Sequence, residues 1–300
     1  MGAEEVSDDK APRLWQPLST RYGEASIDRI WEEGIPAWID HLVRRWLEQI
    51  LRFSSSRERV YARMRYYSSE SDIGSVVGAL SEQNLLDWLD AMLYINAQDR
   101  PGSEYDARAL ERILFDGHSV WRVVSSFGAL ERRQDPTATA ALGRASSTAS
   151  SFGRPAAAEH LRIAWAETYG MHPDPSKAFR EAILAVEAVS VPVVTPKEPG
   201  AHLGHVYGQL RAQGHLYEVA IGDKSGAAAS VQPVTELIGL LWHGHSDRHE
   251  GNIPAVPITQ EAAEMAVHAA VVLVQWFASG SIRRKSALAP DPGWSTGVAT

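Results

Sequence analysis

The sequence contains no cysteine. That excludes a disulfide framework, a thiolate nucleophile and any cysteine-bound zinc. It fits a reducing compartment, so a cytoplasmic location is expected. Lysine is nearly missing as well: Lys10, Lys177, Lys197, Lys224 and Lys285 are the only ones, and the positive charge is almost all arginine. Nor is there an excess of positive charge. The 29 basic residues against 37 acidic ones leave −8 at pH 7, which excludes a general nucleic-acid coat but leaves room for a local basic face. Long apolar runs are absent too. The most apolar window, 262–278, is broken by Glu264, His268 and Gln275 and is too short for a comfortable bilayer span. The first residues, MGAEEVSDDKAPRLW, are acidic and polar, unlike a signal peptide. No membrane partner is expected.

What is present describes a protein that folds on itself. Apolar residues make up 44% of 300, enough for one large core or two ordinary ones. Residues 1–25 carry few periodic apolar positions and read as a partly ordered arm. From Ile35 to Phe53, Ile39, Val43, Trp46, Ile50 and Phe53 recur at helical spacing. A second helix is expected over Arg57–Tyr67. A third follows Ser81 with Leu85, Leu86, Leu89, Met92 and Leu93 inward, and a fourth runs over Tyr105–Ser125 after the Pro101-Gly102 break. Four helices with short connections predict an antiparallel bundle over 26–131.

Residues 132–155 lose apolar periodicity and gain Ala, Ser, Thr and Gly. They read as a linker or as a bridging helix beginning at Asp135-Pro136. A second helical domain is expected over 156–286. Asp174-Pro175 starts one of its helices and Pro192 is expected to end it. A small β-hairpin is expected around Leu216–Ile221 with its turn at Gly222-Asp223. The last helix, Thr259–Ser279, is apolar most of the way round and reads as central. Residues 287–300 read as a disordered tail. The fold class is therefore all-α: an N-terminal helical bundle plus a C-terminal helical bundle, with one small hairpin.

Chemistry-bearing residues concentrate in Leu240–Ile253, LLWHGHSDRHEGNI. Three His, an Asp, an Arg and a Glu fall between His243 and Glu250. The string His243-Gly-His245-Ser-Asp247-Arg-His249 resembles the zinc signature of the metallo-β-lactamase fold. It departs by an inserted Arg248 and follows a helical run where that signature follows a strand. Asp247-Arg248-His249 with Asn252 resembles the catalytic loop of phosphatidylinositol-type kinases. It departs by having no Asp downstream until Asp291 to hold magnesium.

A third resemblance covers 156–284. The helix Ser176–Ala188 (SKAFREAILAVEA) with Glu187 embedded, the run Leu237–Leu241, the polar turn His243–Gly251 and the Ala/Val-rich helix Ala262–Phe277 come in the order seen in the abortive-infection C-terminal family. That family belongs to the wider HEPN group of helical bacterial defence and toxin proteins. The resemblance implies a metal-independent ribonuclease or a degenerate relative, with no cofactor and often a homodimer. Active members carry an Arg and a His four to six residues apart. The His is the acid–base and the Arg stabilises the phosphorane. This chain departs from that pattern, because His243 stands six before His249 where the Arg is expected. Arg112 with His118 and Arg154 with His160 fit the interval, but about as many pairs arise from random placement. The implied catalytic set is His249 as acid–base and Arg248 as charge stabiliser, with His243 and Asp247 in support. Two other readings stay open: a non-catalytic helical interaction or dimerisation protein, and a metal-binding protein using its His-rich turn.

A further pattern concerns RNA. Arg44, Arg45, Arg52, Arg57, Arg59, Arg63 and Arg65 fall close together with Trp46, Phe53, Tyr61, Tyr66 and Tyr67 interleaved. Arginine with aromatics suits phosphate pairing and base stacking on a single strand. Arg57, Arg59, Arg63 and Arg65 are the nucleic-acid-binding candidates from this stretch.

Overall fold

The structure, a computed structural model, describes residues 31–53, 56–67, 72–99, 102–222, 224, 228–244 and 257–285. Among them the chain is nearly all helix, with two short antiparallel strand pairs. It divides into two units: Met1–Arg133 with Tyr169–His172, and Gln134–Thr168 with Pro173–Thr300.

The first unit begins with α1 (Ala37–Phe53), followed by α2 (Arg57–Arg63), α3 (Ile73–Gly78), α4 (Glu82–Asp99) and α5 (Ser103–Asp116). The spacing of Ile39, Val43, Trp46 and Ile50 does what 3.6-residue periodicity requires. With Leu47 and Leu51 these residues form one buried stripe. The stripe packs on α3 and α5. Leu85, Leu89 and Met92 of α4 and Leu110 and Leu114 of α5 complete the core, all within 1% of full burial. Ser81 caps α4 through Asn84 N–H at 3.3 Å. The short α3 went unread in the sequence. Asp72 starts it by accepting from Gly74 and Ser75, and these bonds hold its carboxyl below the usual range.

The fourth helix stops nine residues before the expected Ser125. His118 takes a left-handed backbone, φ +62°, which ends the helix. The chain then forms β1 (Trp121–Val123) and β2 (Leu130–Arg132) in antiparallel register, Val123 facing Leu130. Two carboxylates pin this ribbon to the helices: Glu111 accepts from Val123 N–H and Asp90 from Leu130 N–H, each at 2.7 Å. Burial pushes the Asp90 carboxyl above its ordinary value. A carboxyl raised on folding adds stability at low pH, and that contribution is lost as pH rises through the folded value. Asp90→Asn keeps the acceptor and removes the buried charge. Its urea midpoint is expected above that of the wild type at pH 7, and the difference shrinks toward zero as the pH is lowered to about 4.

The second unit holds α6 (Pro136–Ser151), α7 (Pro155–Tyr169), α8 (Pro175–Val194), α9 (Leu203–Gln213), β3 (Tyr217–Val219), α10 (Gln232–Gly244), α11 (Gln260–Ala278) and β4 (Ile282–Arg284). The Ala/Ser/Thr-rich stretch is the helix α6, started by Asp135 accepting from Thr137 N–H at 2.7 Å with Pro136 behind it. It lacks large apolar residues because small ones let it approach α11 closely; Ala145 and Ala149 are fully buried. The Asp174-Pro175 pair starts α8 in the same way. Pro192 does not end that helix, which runs on to Val194. A proline in the last turn removes one helical hydrogen bond, and the buried Val189 and Val194 hold the turn in place.

The α8–α11 pair is the centre of the unit. Ala178, Ala182, Ala185, Val186 and Val189 lie buried on one helix, and Ala263, Ala266, Val267, Ala270 and Val274 on the other. Not all of α11 is covered, against expectation: Met265, Val272 and Trp276 are exposed. At the expected hairpin Gly222 forms an antiparallel bridge with Ala228, and Ala229 N–H donates to Ile221 O at 2.9 Å. β3 itself pairs with the distant β4, Val219 facing Ile282, so a second ribbon closes across the end of α11. No described helix is long and apolar enough to cross a membrane.

Candidate functional site

The expected catalytic residues Asp247, Arg248 and His249 lie outside the described residues, as does His245. His243 is described. It sits exposed in the last turn of α10, and its ring meets Tyr207 of α9 edge-on at 5.3 Å. The two helices lie side by side because α9 offers glycine where α10 offers bulk. Trp242 covers Gly204, and Tyr207 in turn covers Gly239. An open groove of about 380 Å³ follows, lined by Tyr207, Glu236, Gly239, Leu240, His243 and Gly244. Leu240 is 59% exposed on its floor. The Arg211 guanidinium lies 5.5 Å over the Tyr207 ring.

Two histidines that the sequence reading passed over shape this end of the unit. His202 precedes α9 and its Nδ1 accepts from Gly204 N–H at 3.1 Å. His205 Nδ1 accepts from His202 N–H at 3.2 Å. Glu187 of α8 accepts from Leu203 N–H at 2.7 Å. Three free amides of the helix start are thus satisfied by two imidazoles and a carboxylate. Nδ1 as acceptor places the ring proton on Nε2 in both histidines, and His205 Nε2 lies 3.4 Å from Glu198. The Trp242 ring stacks on His202 at 4.9 Å and 12°. A His-x-x-His spacing just before a helical run was the signal available for this cap.

A second imidazole–carboxylate pair joins α7 to α8. His160 Nδ1 lies 2.7 Å from Glu181 Oε2, with the Glu181 side chain almost buried. One turn along, Lys177 is held by Glu167, which raises its pKa. Arg154 immediately precedes α7, and no described contact brings it to His160. In the other Arg–His pair of matching interval, His118 is buried, whereas Arg112 bonds back to its own helix at Arg108. Among the described residues no group of three His, Asp or Glu is placed to hold a metal ion.

The arginines of this stretch in the first unit have different neighbours. Arg44 bonds Asp40 and the carbonyls of Val77 and Leu80. Arg59 is paired with Asp99, and Arg63 lies 4.5 Å over the Tyr94 ring. Arg65 is exposed with φ +50° at the end of α2, and Arg57 is half-buried near Tyr61. Of the interleaved aromatics, Trp46 is buried. Tyr61 packs at a tilt and Tyr66 edge-on against Trp88, 5.4 and 5.3 Å away, and Tyr66, Phe53 and Tyr67 are exposed.

In comparisons with known proteins, no family model, no curated protein and no solved structure matches the chain.

Proposed function

We propose that the second unit is a HEPN-like helical module of a bacterial defence or toxin-type protein, acting on RNA at the end of α10. The observation that carries this reading is the groove at that end. It is open and lined by Tyr207 and His243, and in the sequence Asp247-Arg248-His249 follow shortly after the Gly244 that closes α10. Tyr207 and His243 offer ring faces and edges of the kind that hold a splayed nucleobase. The chemistry is transesterification. A base withdraws the proton of the ribose 2′-OH, which attacks the adjacent phosphorus. An acid returns a proton to the departing 5′-oxygen, leaving a 2′,3′-cyclic phosphate and a 5′-OH. His249 is the acid–base of this scheme and Arg248 the cation for the phosphorane, with His243 and Asp247 supporting them. No metal and no cofactor enters. The reading takes the protein as a cytoplasmic homodimer.

The test is cleavage of single-stranded RNA by purified protein in the presence of EDTA. Cyclic-phosphate ends are expected, with activity lost at least a hundredfold in His249→Ala and reduced in His243→Ala. Intact RNA with the wild type removes the catalytic scheme. The second reading, a non-catalytic interaction module, rests on a different observation. Met265, Val272 and Trp276, seven and four residues apart, leave an apolar stripe exposed along α11. It predicts a concentration-dependent sedimentation coefficient that Val272→Asp returns to the monomer value.

A further inference from the structure

The α9–α10 surface carries more than the groove at His243. The two helices run antiparallel: Gly204 meets Trp242, Tyr207 meets Gly239, and Gly214 meets Val231 at the far end. On α10, Glu236, Gly239, Leu240 and His243 follow at i, i+3, i+4 and i+7, so helical periodicity sets them in one stripe. This stripe and Tyr207 line the groove of about 380 Å³. Arg211 and His215 stand four and eight residues beyond Tyr207. With Ser230 and Gln232 they line a second cavity, of about 400 Å³, near the start of α10. Glu236 lines both cavities and stands at their junction.

The chemistry changes along this surface. The His243 end is aromatic and apolar, with Leu240 exposed on its floor. The Gln232 end is polar and holds the two basic side chains, both exposed. The Arg211 guanidinium over the Tyr207 ring joins the two ends. A ligand that meets both has a flat ring at one end and an anion at the other, as a nucleotide has. Glu236 suits only some nucleotides. An exposed carboxylate repels phosphate and lowers affinity for a strand in general. It turns favourable when a base offers it donors, because its two oxygens accept two parallel N–H bonds. Guanine presents two adjacent donors, N1–H and N2–H, on its Watson–Crick edge. Adenine and cytosine present one donor beside an acceptor, and uracil presents one donor between two acceptors.

We propose that this surface selects a guanine nucleotide in single-stranded RNA. The base lies on Leu240 against Tyr207, its edge meets the Glu236 carboxylate, and the adjoining phosphate lies at Arg211 and His215. The inference rests on the RNA reading of the groove and names the base that this reading leaves open. Glu236 sets specificity and takes no part in breaking the phosphodiester.

The experiment is fluorescence anisotropy of the full chain with labelled uridine pentamers whose central base is guanine, hypoxanthine or adenine. The probes carry 2′-fluoro riboses, which lack the attacking hydroxyl, so binding is read without cleavage. The guanine probe is expected to bind about tenfold more tightly than the adenine probe, as a bidentate contact allows. Hypoxanthine, which lacks the N2 amino group, is expected to fall between them. Glu236→Gln replaces one acceptor with a donor, which suits the adenine edge, so the guanine preference is expected to vanish or reverse. The position is exposed, both residues favour helix, and circular dichroism confirms folding. Arg211→Ala is expected to weaken all probes alike, by about three- to tenfold, as loss of a phosphate contact does. Equal affinity for guanine and adenine probes overturns the proposal and leaves the RNA reading standing. A guanine preference that survives Glu236→Gln also overturns it. Binding to no probe removes both readings. Guanine-selective binding alongside intact RNA in the cleavage assay supports the proposal and removes only the catalytic scheme.

Discussion

Gly204→Ala is expected to destabilise the second unit by about 1–3 kcal/mol, whereas Gly208→Ala, one turn along the same helix, stabilises it by up to about 1 kcal/mol. The opposite signs come from what each new methyl meets. A Cβ at Gly204 falls 2.4 Å from Trp242 Cζ2 and 2.7 Å from two further atoms of the same rigid ring. The indole must leave its stack on His202, or α9 must move from α10. Either response disturbs the groove that ends at His243. At Gly208 nothing lies within 4 Å, so only the helix propensity of alanine acts. Urea denaturation supplies the stabilities. The near-ultraviolet dichroism of Trp242 is expected to change in Gly204→Ala alone. A Gly204→Ala protein as stable as the wild type would mean that Trp242 does not pack on α9 as described.

The same local-versus-distant distinction decides how much of the fold is legible in the sequence. The α1 stripe and the Asp135-Pro136 and Asp174-Pro175 starts are legible because periodicity and capping act within one or two turns. The missed features depend on partners far along the chain. Trp121 and Val124 continue the spacing of α5, so a helix over Tyr105–Ser125 is the natural reading. Only Glu111 of α5 itself and Asp90 of the preceding α4, both holding the β1–β2 ribbon, make the strand pair the better solution. β3 looks like half of a local hairpin until Ile282 is seen to be the residue that faces Val219. At the candidate site, density of ligand-capable residues pointed to His243–Glu250. The groove itself is made by Tyr207 and by glycines that carry no chemical signal of their own.

Trp46→Ala is expected to cost the first unit about 3–5 kcal/mol, and this result separates the two roles that the arginine–aromatic stretch allows. A base-stacking tryptophan stands at the surface, and its removal weakens RNA binding while sparing stability. Trp46 is 7% exposed, and its indole N–H donates to the Asp106 carbonyl at 2.9 Å, which ties α1 to α5. Removing the ring opens a cavity between the helices and takes away the indole N–H that bonds this carbonyl. Trp46→Phe, which restores much of the bulk without the donor, is expected to recover most of the loss and retain a deficit of about 1 kcal/mol. Arg45→Ala, at the neighbouring exposed position, is expected to stay within about 0.5 kcal/mol of the wild type. Urea midpoints for the three variants test the order. If Trp46→Ala instead unfolds with the wild type and loses affinity for single-stranded RNA, Trp46 belongs to a surface, and the buried α1 stripe is wrongly placed. The physical reason to expect otherwise is the spacing itself. Trp46 falls in register with Ile39, Val43 and Ile50, and a helix that buries three of these positions buries the fourth.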